Sequence, residues 1–146
     1  MRYVRLLLPL FLVSVSGRAF TAEPCPPAVR GAVSKLHPGA RVGSCKPERD
    51  NGKLQYEVRI SEAGRKLELD LTPEGGLLQT EERVPLNGVP PEVRSGFASK
   101  YPGVTAVAAE KQTKAGGATS FELAFDRAGK RHEATFTDQG AFVEEE

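Results

Sequence analysis

The stretch YEVRISEAGRKLELDLTPEGGLLQTE (56–81) returns sixty-five positions later as FELAFDRAGKRHEATFTDQGAFVEEE (121–146). From Lys53 into this stretch, Leu54, Tyr56, Val58 and Ile60 alternate with Lys53, Gln55, Glu57 and Arg59. After a turn at Ala63-Gly64, Leu67, Leu69 and Leu71 alternate with Lys66, Glu68 and Asp70. A side-chain period of two is the mark of a strand with one face buried and one wet. Pro73-Glu74-Gly75 makes the next turn before Leu77 and Leu78. In the later copy Phe121, Leu123 and Phe125 are expected to oppose His132, Ala134 and Phe136.

Upstream of each copy lies a second matching stretch. CPPAVRGAVSKLHPGARV (25–42) returns as VPPEVRSGFASKYPGVTAV (89–107), at an offset of 64 that pairs Pro26 with Pro90 and Pro38 with Pro102. One extra residue placed beside Gly103 shifts the remainder to 65, so that Val42 matches Val107 and Lys46 matches Lys111. Pro27 and Pro91 suit a first helical turn. Val29, Ala32, Val33 and Leu36 follow as an apolar stripe at helical spacing, and Val93, Phe97 and Tyr101 form its counterpart. Pro38 and Pro102 stop both helices. With a further strand at 41–47, each copy reads α-β-β-β-β. The expected fold is therefore α+β, two tandem units, each one short helix packed on a four-stranded antiparallel sheet. The units are placed at 24–82 and 89–146, joined by a linker at 83–88. A unit of this size buries a modest share of its surface, so the two are expected to pack together or to share one sheet.

Residues 1–19 read as a signal peptide: Arg2 and Arg5, then the apolar run LLLPLFLVSV (6–15), then small residues before a cleavage after Ala19, with Ala22 as the alternative. The run is too short to span a bilayer, and the mature chain is expected to be soluble in the periplasm or outside the cell, with no membrane insertion after cleavage. Cleavage removes three arginines and leaves 17 basic and 19 acidic residues, a net charge of −2. That balance, with no clustered basic stretch, argues against nucleic acid as a partner. Cys25 and Cys45, the two cysteines of the chain, are expected to form a disulfide in an oxidising compartment. The competing redox or metal role lacks a CxxC spacing and a supply of histidines. In this alignment Val89, at the offset of 64, and Glu110, at 65, stand where the cysteines stand in the first copy.

His37-Pro38-Gly39-Ala40-Arg41-Val42 and Tyr101-Pro102-Gly103, with Gln55-Tyr56-Glu57-Val58 and Gly64-Arg65-Lys66, resemble the PepSY-like, β-lactamase-inhibitor-like exported domains. The resemblance covers nearly the whole mature chain in two copies. It implies a small envelope or secreted binding module whose paired units present a sheet surface to a protein partner, such as an envelope or secreted enzyme. It implies no catalytic residues and no cofactor. The inhibitors of that family grip their enzyme with an aromatic-rich concave sheet. Here Trp is absent from the sequence, and Tyr56 and Tyr101 fall on the expected core faces. The exposed sheet face carries Gln55, Glu57, Arg59, Lys66, Glu68 and Asp70 from the first copy, and Glu122, Arg131 and Glu133 from the second. These nine residues are the candidate partner-binding set, and contacts through them would be electrostatic and salt-sensitive.

An enzyme finds little support in the residues. His37 occupies a helix end that Tyr101 holds in the other copy, and His132 a core-facing position that Leu67 holds. The recurring carboxylates Glu57/Glu122 and Glu68/Glu133 stand beside Arg59, Lys66 and Arg131, where cross-strand pairing explains them. No nucleophile–base spacing, phosphate loop or metal-ligand pattern is present. The reading is an exported, noncatalytic protein-binding or regulatory module without a cofactor. The alternatives are a PepSY-type protease inhibitor or regulator and, in a different class, an envelope hydrolase.

Overall fold

A computed structural model describes residues 25–146. The signal-peptide reading of residues 1–19 lies outside them. The chain runs α1 (Pro27–Leu36), β1 (Arg41–Asp50), β2 (Lys53–Glu62), β3 (Arg65–Leu71), β4 (Leu77–Val84), a 3-10 turn at Leu86–Gly88, α2 (Pro91–Lys100), β5 (Ala106–Lys114), β6 (Thr119–Arg127), β7 (Lys130–Thr137) and β8 (Phe142–Glu145). The strands form one eight-stranded antiparallel meander in chain order, β1 to β8. The sheet is continuous across the middle of the chain, because β4 pairs with β5 from Gln79↔Lys114 to Val84↔Ala109. Arg83 and Val84, read from sequence as the start of a linker, thus belong to a paired strand.

The helices form where the prolines put them. Pro27 and Pro91 sit at the first helical position, where the missing N–H costs nothing. Each helix closes with a backbone bond back into its last turn, from His37 N–H to the Val33 carbonyl and from Tyr101 N–H to the Phe97 carbonyl. At ten residues each they depend on the sheet for stability. Val29 and Val33 of α1 are buried against Val58, Leu69 and Leu71. Val93 and Phe97 of α2 are buried against Leu123, Phe125, Ala134 and Phe136. The second cluster is the more aromatic: Phe97 meets Phe125 edge-on at 5.3 Å between ring centroids, and Tyr101 lies 4.6 Å from Phe125.

Strand registers match the expected oppositions. Tyr56↔Leu71, Val58↔Leu69 and Ile60↔Leu67 pair in β2–β3, and Phe121↔Phe136, Leu123↔Ala134 and Phe125↔His132 in β6–β7. Two expected core residues are not buried. Leu54 is 39% exposed because it sits next to the β1–β2 turn, beyond the reach of α1. Leu36 is 45% exposed because it lies on the last turn of α1, where the helix leaves the sheet. Leu78 is exposed as well, displaced by the irregular pairing between Asp70 and Leu71.

The extra residue of the second half is not beside Gly103. Cys45 pairs with Val58 and Ala109 with Leu123, and the bulge at Val42/Ser44 is repeated at Ala106/Ala108. β1 and β5 therefore correspond at 64 (109 − 45), whereas β2 and β6 correspond at 65 (123 − 58). The insertion falls in the hairpin between them. Asn51-Gly52 is a two-residue turn with both residues at positive φ, while Ala115-Gly116-Gly117 closes the other hairpin with three. Cys45 thus corresponds to Ala109, not to Glu110.

That correction explains the cysteines. Cys25 and Cys45 are joined, with Cα atoms 5.5 Å apart, and both pack against the first core cluster. The corresponding Val89 and Ala109 are buried in the second cluster. A covalent staple in one half occupies the place of an apolar contact in the other.

Candidate functional site

The strands that bury one row of side chains beneath α1 and α2 necessarily turn the alternate row to the opposite face. That face folds into a trough of about 830 Å³, lined by residues from all eight strands: Glu48, Gln55, Asp70, Gln79, Gln112, Glu122, Thr135 and Glu144 supply one each. Its full lining holds eight carboxylates and two basic side chains, Arg49 and Lys114. Both cations stand at hairpin ends, and Arg49 donates to the Gly52 carbonyl at 3.1 Å.

On the trough floor Glu81 and Glu122 meet side-chain amides rather than cations. Gln79 donates to Glu81 at 2.6 Å. The Gln112 amide lies 3.3 Å from both Glu81 and Glu122, and Ser120 donates to the Gln112 carbonyl at 3.1 Å. Among the described residues no ion pair reaches Asp70, Glu81 or Glu122. The consequence is electrostatic. Burial, followed by the neighbouring Glu81 and Glu48, pushes the Asp70 carboxyl up to about 7. Burial, followed by Glu133 and Glu81, does the same to Glu122. Glu81 is raised by burial too, with the Gln79 amide opposing the shift.

The remaining arginines of this face lie toward the other ends of the strands. Arg59 bridges Glu57 at 3.1 Å and Glu68 at 2.6 Å, and Arg83 reaches Glu110 at 3.3 Å. Of the nine residues expected from sequence, Gln55, Glu68, Asp70 and Glu122 line the trough. Glu57, Arg59 and Lys66 belong to the ion-paired end, while Arg131 lies 3.7 Å from Asp126 near the β6–β7 turn. Glu133 faces the edge strand and exchanges backbone bonds with Glu146. The set is therefore divided between an ion-paired end and the trough, with Glu68 joining the two, since it lines the trough while bonded to Arg59. Sequence reading missed Glu48, Gln79, Glu81, Gln112 and Ser120. Period-two alternation carried through β4 and β5 would have placed Gln79, Glu81 and Gln112 on the outer face.

Both histidines lie away from the trough. His37 Nδ1 is 2.8 Å from Glu62, tying the end of α1 to β2. His132 stacks on Phe125 with centroids 5.5 Å apart and lies 3.0 Å from Glu145. Glu145 also accepts from Tyr101 Oη at 2.7 Å and from Arg127 at 2.6 Å. The Tyr101 bond, ahead of the Arg127 and His132 charges, holds the Glu145 carboxyl below its ordinary range. Burial and the same bond push the Tyr101 phenol up to about 12. This network fastens β8 to the end of α2.

The meander of eight strands with two helices on one face is shared by solved structures. A BLIP-like protein from Bacteroides fragilis is 24% identical, with a TM-score of 0.63 over 84% of this chain and 86% of that one. The fold is BLIP-like. A DUF2874 family protein from Bacteroides uniformis matches with a TM-score of 0.68 at 17% identity, covering 83% of this chain and 88% of its own. A candidate periplasmic protein from Bacteroides eggerthii matches at 0.67 with 15% identity, over 84% and 88% of the two chains. No protein-family model matches the sequence, and no curated protein matches it. Among the described residues no helix is long and apolar enough to cross a membrane.

Proposed function

We propose that this is an exported, noncatalytic protein-binding module, built from two tandem PepSY-like units at 24–82 and 89–146 and docking a protein partner in the trough of its shared sheet. The trough is the observation that carries the reading. An eight-stranded sheet twists and coils by its own backbone sterics, and here the concave face gathers at least one side chain from each strand into a single recess wide enough for a partner's surface. Its open floor of carboxylates, amides and hydroxyls offers hydrogen-bonding groups to a surface laid across it. The matching registers of β1–β2 with β5–β6 and the separate core beneath each helix support the two-unit description. The BLIP-like fold supports a sheet-docking role by analogy of architecture. On this reading residues 1–19 are the export signal.

A photo-crosslinking side chain placed at Gln112, mid-trough, and at Ser34, on the exposed side of α1, tests the assignment in the producing cell. The expected result is a discrete crosslinked protein from position 112 and none from position 34. Crosslinks from Ser34 alone, or none from Gln112, would overturn the trough as the docking surface.

A further inference from the structure

The trough's chemistry also specifies what fits it. Resting on the docking role proposed above, we infer that the partner presents a lysine- or arginine-bearing segment to the Asp70–Glu81–Glu122 row. Three observations converge. The lining is one-signed, with eight carboxylates against two peripheral cations. The remaining arginines of this face stand at one end of it, Arg59 bonded to Glu57 and to Glu68 of the lining and Arg83 to Glu110, and among the described residues no ion pair reaches Asp70, Glu81 or Glu122. The Gln112 amide, at 3.3 Å from both Glu81 and Glu122, is a long, neutral bridge that an ammonium or guanidinium could replace with charge-assisted bonds.

Other occupants fit less well. An apolar peptide would meet Val143 and Ala118 as the only apolar side chains of the lining. A polyanion would be repelled. A single metal ion needs three or more clustered ligands, and among the described residues no such group exists. A cavity of about 830 Å³ has room for several side chains rather than one ion.

Docking of a cation has a signature that a neutral surface would not produce. Asp70 is faced by Glu48, Glu57, Glu68 and Glu81, and Glu122 by Glu81, Glu110, Glu133 and Glu146. Both hold protons near neutrality in the free protein, and a cationic segment drives those protons off.

The probe is a short lysine-rich helical peptide, with its glutamate-for-lysine counterpart as control, titrated into the mature protein by calorimetry in two buffers of different ionisation enthalpy and by amide NMR. The lysine peptide is expected to bind with proton release, to shift amides of β3–β6, and to weaken at least about tenfold in the Asp70→Asn/Glu81→Gln/Glu122→Gln variant, which conserves shape. Thermal melting of that variant confirms that it is folded. Unchanged binding in the variant, shifts confined to α1 and α2, or equal binding of the glutamate peptide would overturn the inference. So would a crosslinked partner at Gln112 combined with no peptide binding; in that outcome the docking role stands and its cationic specificity falls. Self-association of the protein that the triple variant abolishes would reassign the trough to a second copy.

Discussion

Gly96 and Gly31 show how one residue type meets opposite demands. Both lie in the interiors of short helices, where glycine is about 1 kcal/mol poorer than alanine on propensity alone. A Cβ on Gly31 would meet nothing within 4 Å. A Cβ on Gly96 would overlap the Gly140 carbonyl oxygen, because the β7–β8 turn is pressed against α2. A Cβ on Gly140 would likewise overlap the Glu92 carbonyl oxygen, and Gly140 holds φ +81, a conformation L side chains avoid. Gly31→Ala is therefore expected to stabilise the protein by roughly 0.5–1 kcal/mol. Gly96→Ala should destabilise it by about 1–3 kcal/mol, since backbone must move to admit the methyl. Urea denaturation of the two variants against the parent measures the difference. Equal effects would mean that the turn yields without cost and does not fix the helix. Sequence alone treats the two glycines alike, because the close contact at Gly96 comes from a turn more than forty positions away.

The helices, their proline starts and the alternating strands were legible as elements, because each rests on local periodicity. Register between elements was less so, and β1 and β5 show why. Letter identity favoured Val42 with Val107 and Lys46 with Lys111, which put Cys45 opposite Glu110 and the extra residue beside Gly103. A one-residue slip in a strand moves every side chain to the other face. It would have set the core-side Cys45 against an outward carboxylate. The structure instead aligns Cys45 with the buried Ala109 and absorbs the insertion in the Ala115-Gly116-Gly117 hairpin, where a longer loop costs little. The disulfide then has a local meaning. α2 begins after β4, and Val89 is buried in the second core, whereas the chain entering α1 is fastened by Cys25–Cys45. Closing a loop of this length contributes about 3 kcal/mol in the chain-entropy account. Cys25→Ala/Cys45→Ala is expected to lose up to that amount globally. Native-state hydrogen exchange should accelerate first in α1 and β1, leaving α2 and β5 close to the parent. Uniform acceleration across both helices would contradict a role confined to the first half.

At the scale of the molecule, one sheet carries two cores on one side and a single pool of carboxylates on the other. The core side could be read from alternation within each strand. The pool could not, because it is assembled across strands: Asp70, Glu81 and Glu122 lie on β3, β4 and β6 and come together only through the pairing registers of β3 to β6. A like-charged floor has a consequence for the whole fold. Asp70 is raised from 3.8 and Glu122 from 4.5, each to about 7, and Glu81 is raised too. Between about pH 4 and 7 the folded chain therefore holds protons that the unfolded chain has lost, so stability falls as pH rises through that window. Glu82, held down by its bond to Arg65, and Glu145, held down by Tyr101, act in the opposite sense. Their contribution is present above the ordinary glutamate value of 4.5 and lost as pH drops below it. Together the groups place maximal stability near the meeting of the two regimes, at about pH 4. The thermal midpoint is expected to fall by several degrees from pH 5 to pH 8, since about 1 kcal/mol moves it by roughly 4 °C at this chain length. Salt should reduce the fall by screening the floor, and Asp70→Asn/Glu81→Gln/Glu122→Gln should flatten it. A midpoint that rises or stays level between pH 5 and 8 in the parent would show that the floor carboxylates are ionised without strain. The trough would then have no unmet charge to offer a partner.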